Sequence, residues 1–207
     1  MGTIEKKFKP APFVILITLA CVLFVSGCAR YARNVNTLYD PSAAVSGGSG
    51  ELYVVIPENR KTHSEDVKWV LGKVKDDDNK EIDEVFSPRS PAEIIQTAFV
   101  MEFKRAGYTV IPVTKHPAAA QRVIDLTKAE IELEQISDPA YLKVKCRVLA
   151  GVDIFKNGQH IKRVQYESTS SRTGIKDRDM LARNVLEDAL KTVMREAVPE
   201  LNTLFKR

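Results

Sequence analysis

Cys28 is the side chain in this sequence best placed for covalent chemistry. It closes the run Val25-Ser26-Gly27-Cys28. A thiol is a nucleophile that can be alkylated, and small residues at 26 and 27 let the chain enter an enzyme cleft in extended form. Other reactive groups are sparse. His63, His116 and His160 are far apart, with no His-x-His or His-Glu-x-x-His spacing to hold a metal. No Gly-x-Ser-x-Gly elbow, phosphate loop or dinucleotide glycine pattern occurs. Ser168-Thr169-Ser170-Ser171 is rich in hydroxyls but has no activating base beside it in the sequence. Asp76 to Glu84 holds six acids in nine residues, yet Lys80 and Glu81 stand where an EF-hand loop needs an oxygen ligand and a turn glycine, so a solvated loop is expected. The sequence predicts no catalytic residue, no metal ligand and no cofactor.

The segment before Cys28 explains its setting. Lys6, Lys7 and Lys9 precede a 13-residue apolar run, Phe13 to Val25. Crossing a bilayer core takes about 20 apolar residues, whereas a secretory h-region takes roughly 7–15. With Val25-Ser26-Gly27-Cys28 at its end, the segment resembles a bacterial lipobox. That likeness implies that Cys28 takes a diacylglycerol and that a lipoprotein signal peptidase recognises Val25, Ser26 and Gly27. Cleavage before Cys28 would free an amine for acylation. An uncleaved anchor with a chance cysteine is the alternative. Two or more acyl chains anchor stably where one is marginal, so the expected partner is a membrane reached through the N-terminal lipid. Ala29 follows the cysteine where an Asp would suggest inner-membrane retention. The expected location is therefore the outer membrane, lipid-anchored on its periplasmic face.

Without residues 1–27, 28 basic and 26 acidic residues remain, a net charge of +2. No basic run stands out, and nucleic acid is not an expected partner. Cys21 leaves with the leader and Cys28 is lipidated. Cys146 then remains alone, on the apolar phase of a strand, where a buried inert thiol is expected.

Residues 28–50 carry the lipidated cysteine and show no helical or strand period. Pro41 and Ser46-Gly47-Gly48-Ser49-Gly50 suggest a flexible linker spanning roughly 25 Å. Packing of Tyr31 to Tyr39 onto the domain or a partner is the alternative. Residues 51–205 are expected to form one globular domain. Strands are predicted at Glu51–Pro57, Val67–Val74 and Tyr108–Val113, and again from Arg122. In this last segment Ile124 and Leu126 alternate in one phase and Ala129, Ile131 and Leu133 in the other, which suits a bulge. Leu142 to Ile154 holds one phase for seven positions, Asn157-Gly158 makes a hairpin turn, and Ile161 to Ser170 returns with a polar end suited to a sheet edge. Ser90-Pro91-Ala92-Glu93 starts a helix that Gly107 stops. A second helix runs from about Asp179 to Val198, with Pro199 kinking or ending it and Leu201, Leu204 and Phe205 as a short continuation. Its polar face mixes both signs of charge, so its apolar face is expected on the sheet rather than on a membrane surface. The expected fold class is α+β: a single domain, an antiparallel-rich mixed sheet, two helices packed on one face.

Several of these segments together resemble the YajG-like lipoproteins of Gram-negative bacteria: the lipobox, VKWVLGKV, PAEIIQTAFVMEFKRAGYTVI, the hairpin through Asn157-Gly158, and DMLARNVLEDALKTVM. The chain departs from them at Asp76–Asn79. The resemblance implies an envelope lipoprotein of α+β fold without catalytic residues. Two functions are expected to compete. One is an interaction or assembly module docking on another envelope protein, for which a polar edge strand is suited. The other is a binder of a small apolar or lipidic ligand between sheet and helix, which would need a cavity.

Overall fold

The computed structural model describes residues 31–55, 68–117, 120–175 and 178–206. Seven strands and two helices follow in the order β1 (Glu51–Val55), β2 (Trp69–Lys75), β3 (Glu81–Ser87), α1 (Pro91–Ala106), β4 (Thr109–Val113), β5 (Arg122–Ser137), β6 (Leu142–Lys156), β7 (Gln159–Gly174) and α2 (Arg178–Lys206). All seven strands form one mixed sheet. β5, β6 and β7 make a long antiparallel meander. The other side of β5 is divided: its first half pairs in parallel with β1, which pairs with β4, and its second half pairs in parallel with β2, which forms a hairpin with β3. Both helices cover one face. The fold class is the α+β arrangement that the periodicities predict.

The local causes are visible. Ser90 caps α1, accepting from the Glu93 amide at 3.2 Å while Glu93 accepts from the Ser90 amide at 2.7 Å. Gly107 ends the helix at φ 109°. The phase slip in β5 is a bulge at Thr127: Leu126 faces Val152, but Lys128 faces Gly151. Even-numbered residues of β6 meet the helices, and Leu142, Val144, Cys146, Val148, Val152 and Ile154 are fully buried. On the opposite face, near the start of β5, Val123 packs in a smaller cluster with Val55, Ala120 and Phe155.

Four expectations need correction. Residues 31–50 are not a loose linker: Ala32, Val35, Tyr39 and Ala43 are at most 5% exposed and belong to the core. The compact unit starts at Tyr31, not at residue 51. The acidic loop stops at Lys80, because Glu81–Ser87 is strand β3; Val85 and Ser87 supply its buried positions amid the charges. The closing helix runs through Pro199 to Lys206, so the expected short continuation at Leu201, Leu204 and Phe205 belongs to the same helix and Pro199 does not end it. A proline inside a helix costs about 3 kcal/mol. Burying Leu201 and Phe205 offsets this at roughly 1.5–3 kcal/mol each, and Phe205 sits edge-on to Phe103 and Tyr108 at 6.5 and 6.4 Å. Finally, β7 is longer than Ile161–Ser170, pairing with β6 from Gln159 to Gly174.

Candidate functional site

Val25, Ser26, Gly27 and Cys28 lie outside the described residues. What the structure does describe is how the chain just after them is held. Residues 31–50 form a strap across β3, β5 and α1. The Gln135 side chain acts as a strand neighbour for Ala32, accepting from its amide at 3.0 Å and donating to its carbonyl at 2.7 Å. Two backbone hydrogen bonds of 2.8 Å tie Arg33 and Val35 to Phe86, in parallel with β3. The Tyr31 hydroxyl donates to Asp83 at 3.1 Å, and Arg33 pairs with the same carboxylate at 2.5 Å.

Further along, Glu102 of α1 is 1% exposed on an otherwise apolar face. It accepts from the Tyr39 hydroxyl at 2.5 Å, the Ser42 amide at 2.7 Å and the Ala43 amide at 3.1 Å. A buried carboxylate is tolerated only when its oxygens are satisfied in this way. Burial, reinforced by Glu102, holds the Tyr39 phenol protonated well above its ordinary range. The glycines of the strap serve close approach. A Cβ on Gly48 would stand 2.4 Å from the Tyr108 ring, and one on Gly107 would stand 2.7 Å from the Gly48 carbonyl. No sequence signal announces this except a Glu in the apolar stripe of a helix.

β7 forms the sheet edge beside β6. Its backbone pairs with β6 along its whole length, and among the described residues no strand pairs with its other side. Its side chains are committed inward and to the sheet. Ser168 donates to the Ala189 carbonyl at 2.8 Å and Tyr166 to Glu200 at 2.9 Å. Arg172 pairs with Asp188 and Glu167 with Arg147, each at 2.6 Å. The Ser168 hydroxyl is thereby engaged in the core. Thr169 and Ser171 are exposed on the outer face, opposite Arg147 and Lys145. Cys146 is buried, and burial pushes its thiol up to about 12, which leaves it unreactive at neutral pH.

Two of the three histidines meet. His116 and His160 stack edge-on against Phe155 at 4.6 and 5.2 Å. Asp153 lies beneath, held by Arg163 through two contacts of 2.6 Å and 3.4 Å from His160. Arg163 first, and His160 with it, lowers the Asp153 carboxyl below the ordinary carboxylate range. Asp125 faces Asp153 across the β5–β6 pair, and burial raises its carboxyl, with Asp153 adding to the rise and His116 opposing it. Among the described residues no group of three has metal-binding geometry. His63 lies outside them.

The outer sheet face carries a hollow of about 540 Å³ bordered by Lys73, Lys75, Glu132, Glu134 and Arg147. Most of its charges are paired with one another, Lys73 with Glu81 at 2.5 Å, Lys75 with Glu134 at 2.8 Å and Arg147 with Glu132 at 3.3 Å, and Lys145 also lines it. No described helix is long and apolar enough to cross a membrane.

No protein-family model and no curated protein matches the chain. Among solved structures, the chain is similar to a Xanthomonas campestris protein of family DUF330, with 14% identity over 84% of this chain and 95% of that one at a TM-score of 0.45. It is similar to a minor lipoprotein from Acinetobacter baumannii, with 13% identity over 72% and 91% at a TM-score of 0.38. A Helicobacter pylori homolog of a neuraminyllactose-binding hemagglutinin shares 10% identity over 84% and 98% at a TM-score of 0.40. Likenesses of this degree assign no activity.

Proposed function

We propose that this protein is a lipid-anchored, non-enzymatic lipoprotein of the bacterial envelope that recognises another envelope protein by strand addition along β7. The observation that carries the reading is the 16-residue edge of β7, paired on one side only among the described residues. An added strand would gain main-chain hydrogen bonds along that edge. Lys162, Arg163 and Arg172 on it guard against self-association, as charges on natural edge strands do. The lipobox supports anchoring through Cys28, and Ala29 after it supports the periplasmic face of the outer membrane. The segments resembling YajG-like lipoproteins are consistent with that location. The non-enzymatic reading is supported by the state of the candidate nucleophiles: Ser168 is engaged with α2 and Cys146 is buried. A ligand between sheet and helices is less favoured, because that interface is filled by side chains with 0% exposure.

The test is in-cell photo-crosslinking from Thr169 and Ser171, with the Cys28→Ser form as control. A reproducible envelope partner captured from both positions, and lost in the control, is expected. Capture of nothing from β7, with capture from other surfaces instead, rejects strand addition. Processing of the Cys28→Ser chain at the same bond, with retention in the membrane fraction, rejects the lipid anchor.

A further inference from the structure

We infer that the end of the domain carrying Tyr141, Ile175 and Met180 rests on the surface of the bilayer that holds the acyl chains of Cys28. The inference depends on the lipid anchor proposed above and adds to it an orientation and a contact surface. Three observations carry it.

The first is the length of the tether. In the Asn34–Phe86 register, Tyr31 stands level with Asp83, to which its hydroxyl donates. From Asp83 it is three residues back along β3 to Lys80, in the turn Asp76–Lys80 that caps this end of the sheet. That descent is about 10 Å. Cys28 is also three residues before Tyr31 in the sequence, so it can reach about 10 Å beyond Tyr31. The attachment point therefore extends little farther than the turn itself. Each headgroup layer is roughly 5–8 Å thick, which leaves almost no gap between domain and lipid.

The second is the surface at that end. Leu142 pairs with Ser137 and with Gly174, so the β5–β6 turn and the exit from β7 lie side by side. Tyr141 immediately precedes that pair and Ile175 immediately follows it; Met180 is in the first turn of α2, which continues from there. They are 40%, 71% and 49% exposed, and Ile82, at the same end of β3, is 46% exposed. The other large exposed apolar side chains among the described residues, Leu38, Val70 and Ile161, sit on separate elements. Clustered exposed apolar groups mark a contact surface, and tyrosine is a residue of membrane interfaces.

The third is charge. Asp76, Asp77, Asp78, Glu81 and Asp138 stand at this end with Lys75, Lys80, Lys143 and Arg172, so it carries no cationic excess. Attraction to anionic lipid cannot hold such a surface down, so the contact is apolar and takes zwitterionic lipid.

The native chain makes the test direct, because Cys146 is buried and Cys28 is blocked once lipidated. The full chain is produced in a Gram-negative host with Ile175→Cys, Met180→Cys or, at the far end of the β6–β7 hairpin, Asn157→Cys. Each is labelled with bimane and reconstituted in phosphatidylcholine vesicles containing lipids with nitroxide on the upper acyl chain. Blue-shifted, quenched emission at 175 and 180 is expected, with neither effect at 157, and addition of salt should leave the pattern unchanged. Equal quenching at all three sites, or none at any, overturns the orientation. The mass of the N-terminal peptide from the same sample separates the two readings. An acylated Cys28 without quenching at 175 and 180 defeats the orientation alone, whereas an unacylated N-terminus defeats the anchor and the orientation with it.

Discussion

Replacing Glu102 with alanine tests whether residues 31–50 are part of the folded domain. In the native protein this carboxylate accepts from three donors, the Tyr39 hydroxyl and the Ser42 and Ala43 amides. Glu102→Ala leaves all three without an acceptor. A buried unsatisfied donor costs about 1–3 kcal/mol, so the gross loss is roughly 3–9 kcal/mol. Two effects reduce it. The desolvation cost of the carboxylate disappears, and the space left by the side chain admits a water able to serve some of the donors. The expected net loss is about 3 kcal/mol, from a total of about 5–15 for a typical domain. For a domain of this size that lowers Tm by about 6–12 °C. Glu102→Gln keeps an acceptor but loses the charge, so a loss nearer 1 kcal/mol is expected.

Thermal unfolding followed by circular dichroism reads the stability. Hydrogen exchange at Ser42 and Ala43 reads the strap itself. Tyr39→Phe added to Glu102→Ala should cost less than the sum of the two single changes, because both remove the same contact. A Tm for Glu102→Ala within 1 °C of wild type would refute the reasoning, as would wild-type amides at 42 and 43 that exchange as fast as those of an unstructured peptide. Either result would mean that residues 39–43 are not fastened to α1; the short tether rests instead on the contacts of residues 31–35 with Gln135, Phe86 and Asp83.

Four further outcomes are expected. Gly72→Ala should be strongly destabilising, by about 3 kcal/mol or more: its Cβ would lie 1.7 Å from the Leu133 carbonyl oxygen, and backbone cannot yield as a side chain does; chemical denaturation measures it. Tyr39 and Tyr166 both have raised folded pKa values, chiefly from burial, so the stability they contribute is complete below the ordinary tyrosine value of about 10 and falls away as pH rises above it; ultraviolet titration should show these two of the six tyrosines ionising only as the protein unfolds. Asp125 also has a raised folded value, so its protonated form favours the fold and its penalty appears as pH rises through that value; Asp125→Asn should be more stable than wild type at pH 7, with the difference gone below about pH 4. Asp153 runs the other way, since Arg163 lowers it: Asp153→Asn should be less stable at neutral pH and converge with wild type in acid, and the two melting series together check the sign.

The elements that announce themselves in the sequence are those whose cause is local. Ser90, Pro91, Glu93 and Gly107 fix the ends of α1 through their own backbones. The alternation of Leu142 to Ile154 and the phase slip at Thr127 follow from the two-residue period of a strand. The strap was legible as a flexible composition, with packing of Tyr31 to Tyr39 onto the domain as the alternative, and the structure bears out the alternative. Its Ser-Gly run has the chemistry of a flexible segment, but Gly48 is there because Tyr108 comes within 2.4 Å of where a side chain would begin. Glycine serves flexibility and close approach alike, and the difference lies in a residue sixty positions away. Ala32, Val35, Tyr39 and Ala43 stand three, four and four residues apart, a helical spacing, yet the strap is neither helix nor strand, so the spacing of its apolar residues does not report its conformation. The continuation of α2 through Pro199 likewise depends on distant partners, Phe103 and Tyr108, which hold Phe205 in place. In the hydroxyl string at 168–171, Ser168 donates to a helix carbonyl, again a tertiary fact.

An ordered strap changes what the β7 edge can do. A domain on 22 loose residues would sample every orientation, and its edge strand would meet partners in any direction. With the Tyr141–Ile175 end on the bilayer, β7 has its Gly174 end near the lipid and rises away from it. Sixteen residues at about 3.3 Å each give an edge close to 50 Å long. Twist and tilt shorten its height, but the far end at Gln159 still stands well clear of the headgroups. Since β7 runs from Gln159 down to Gly174, a partner strand pairing antiparallel with it would have to run away from the membrane, and one pairing in parallel would have to run towards it. Photo-crosslinks from Thr173 and from Arg163 should therefore capture different parts of one partner segment, ordered by their distance from the lipid. Capture of the same partner residues from both ends would mean that the edge is not being read as a strand.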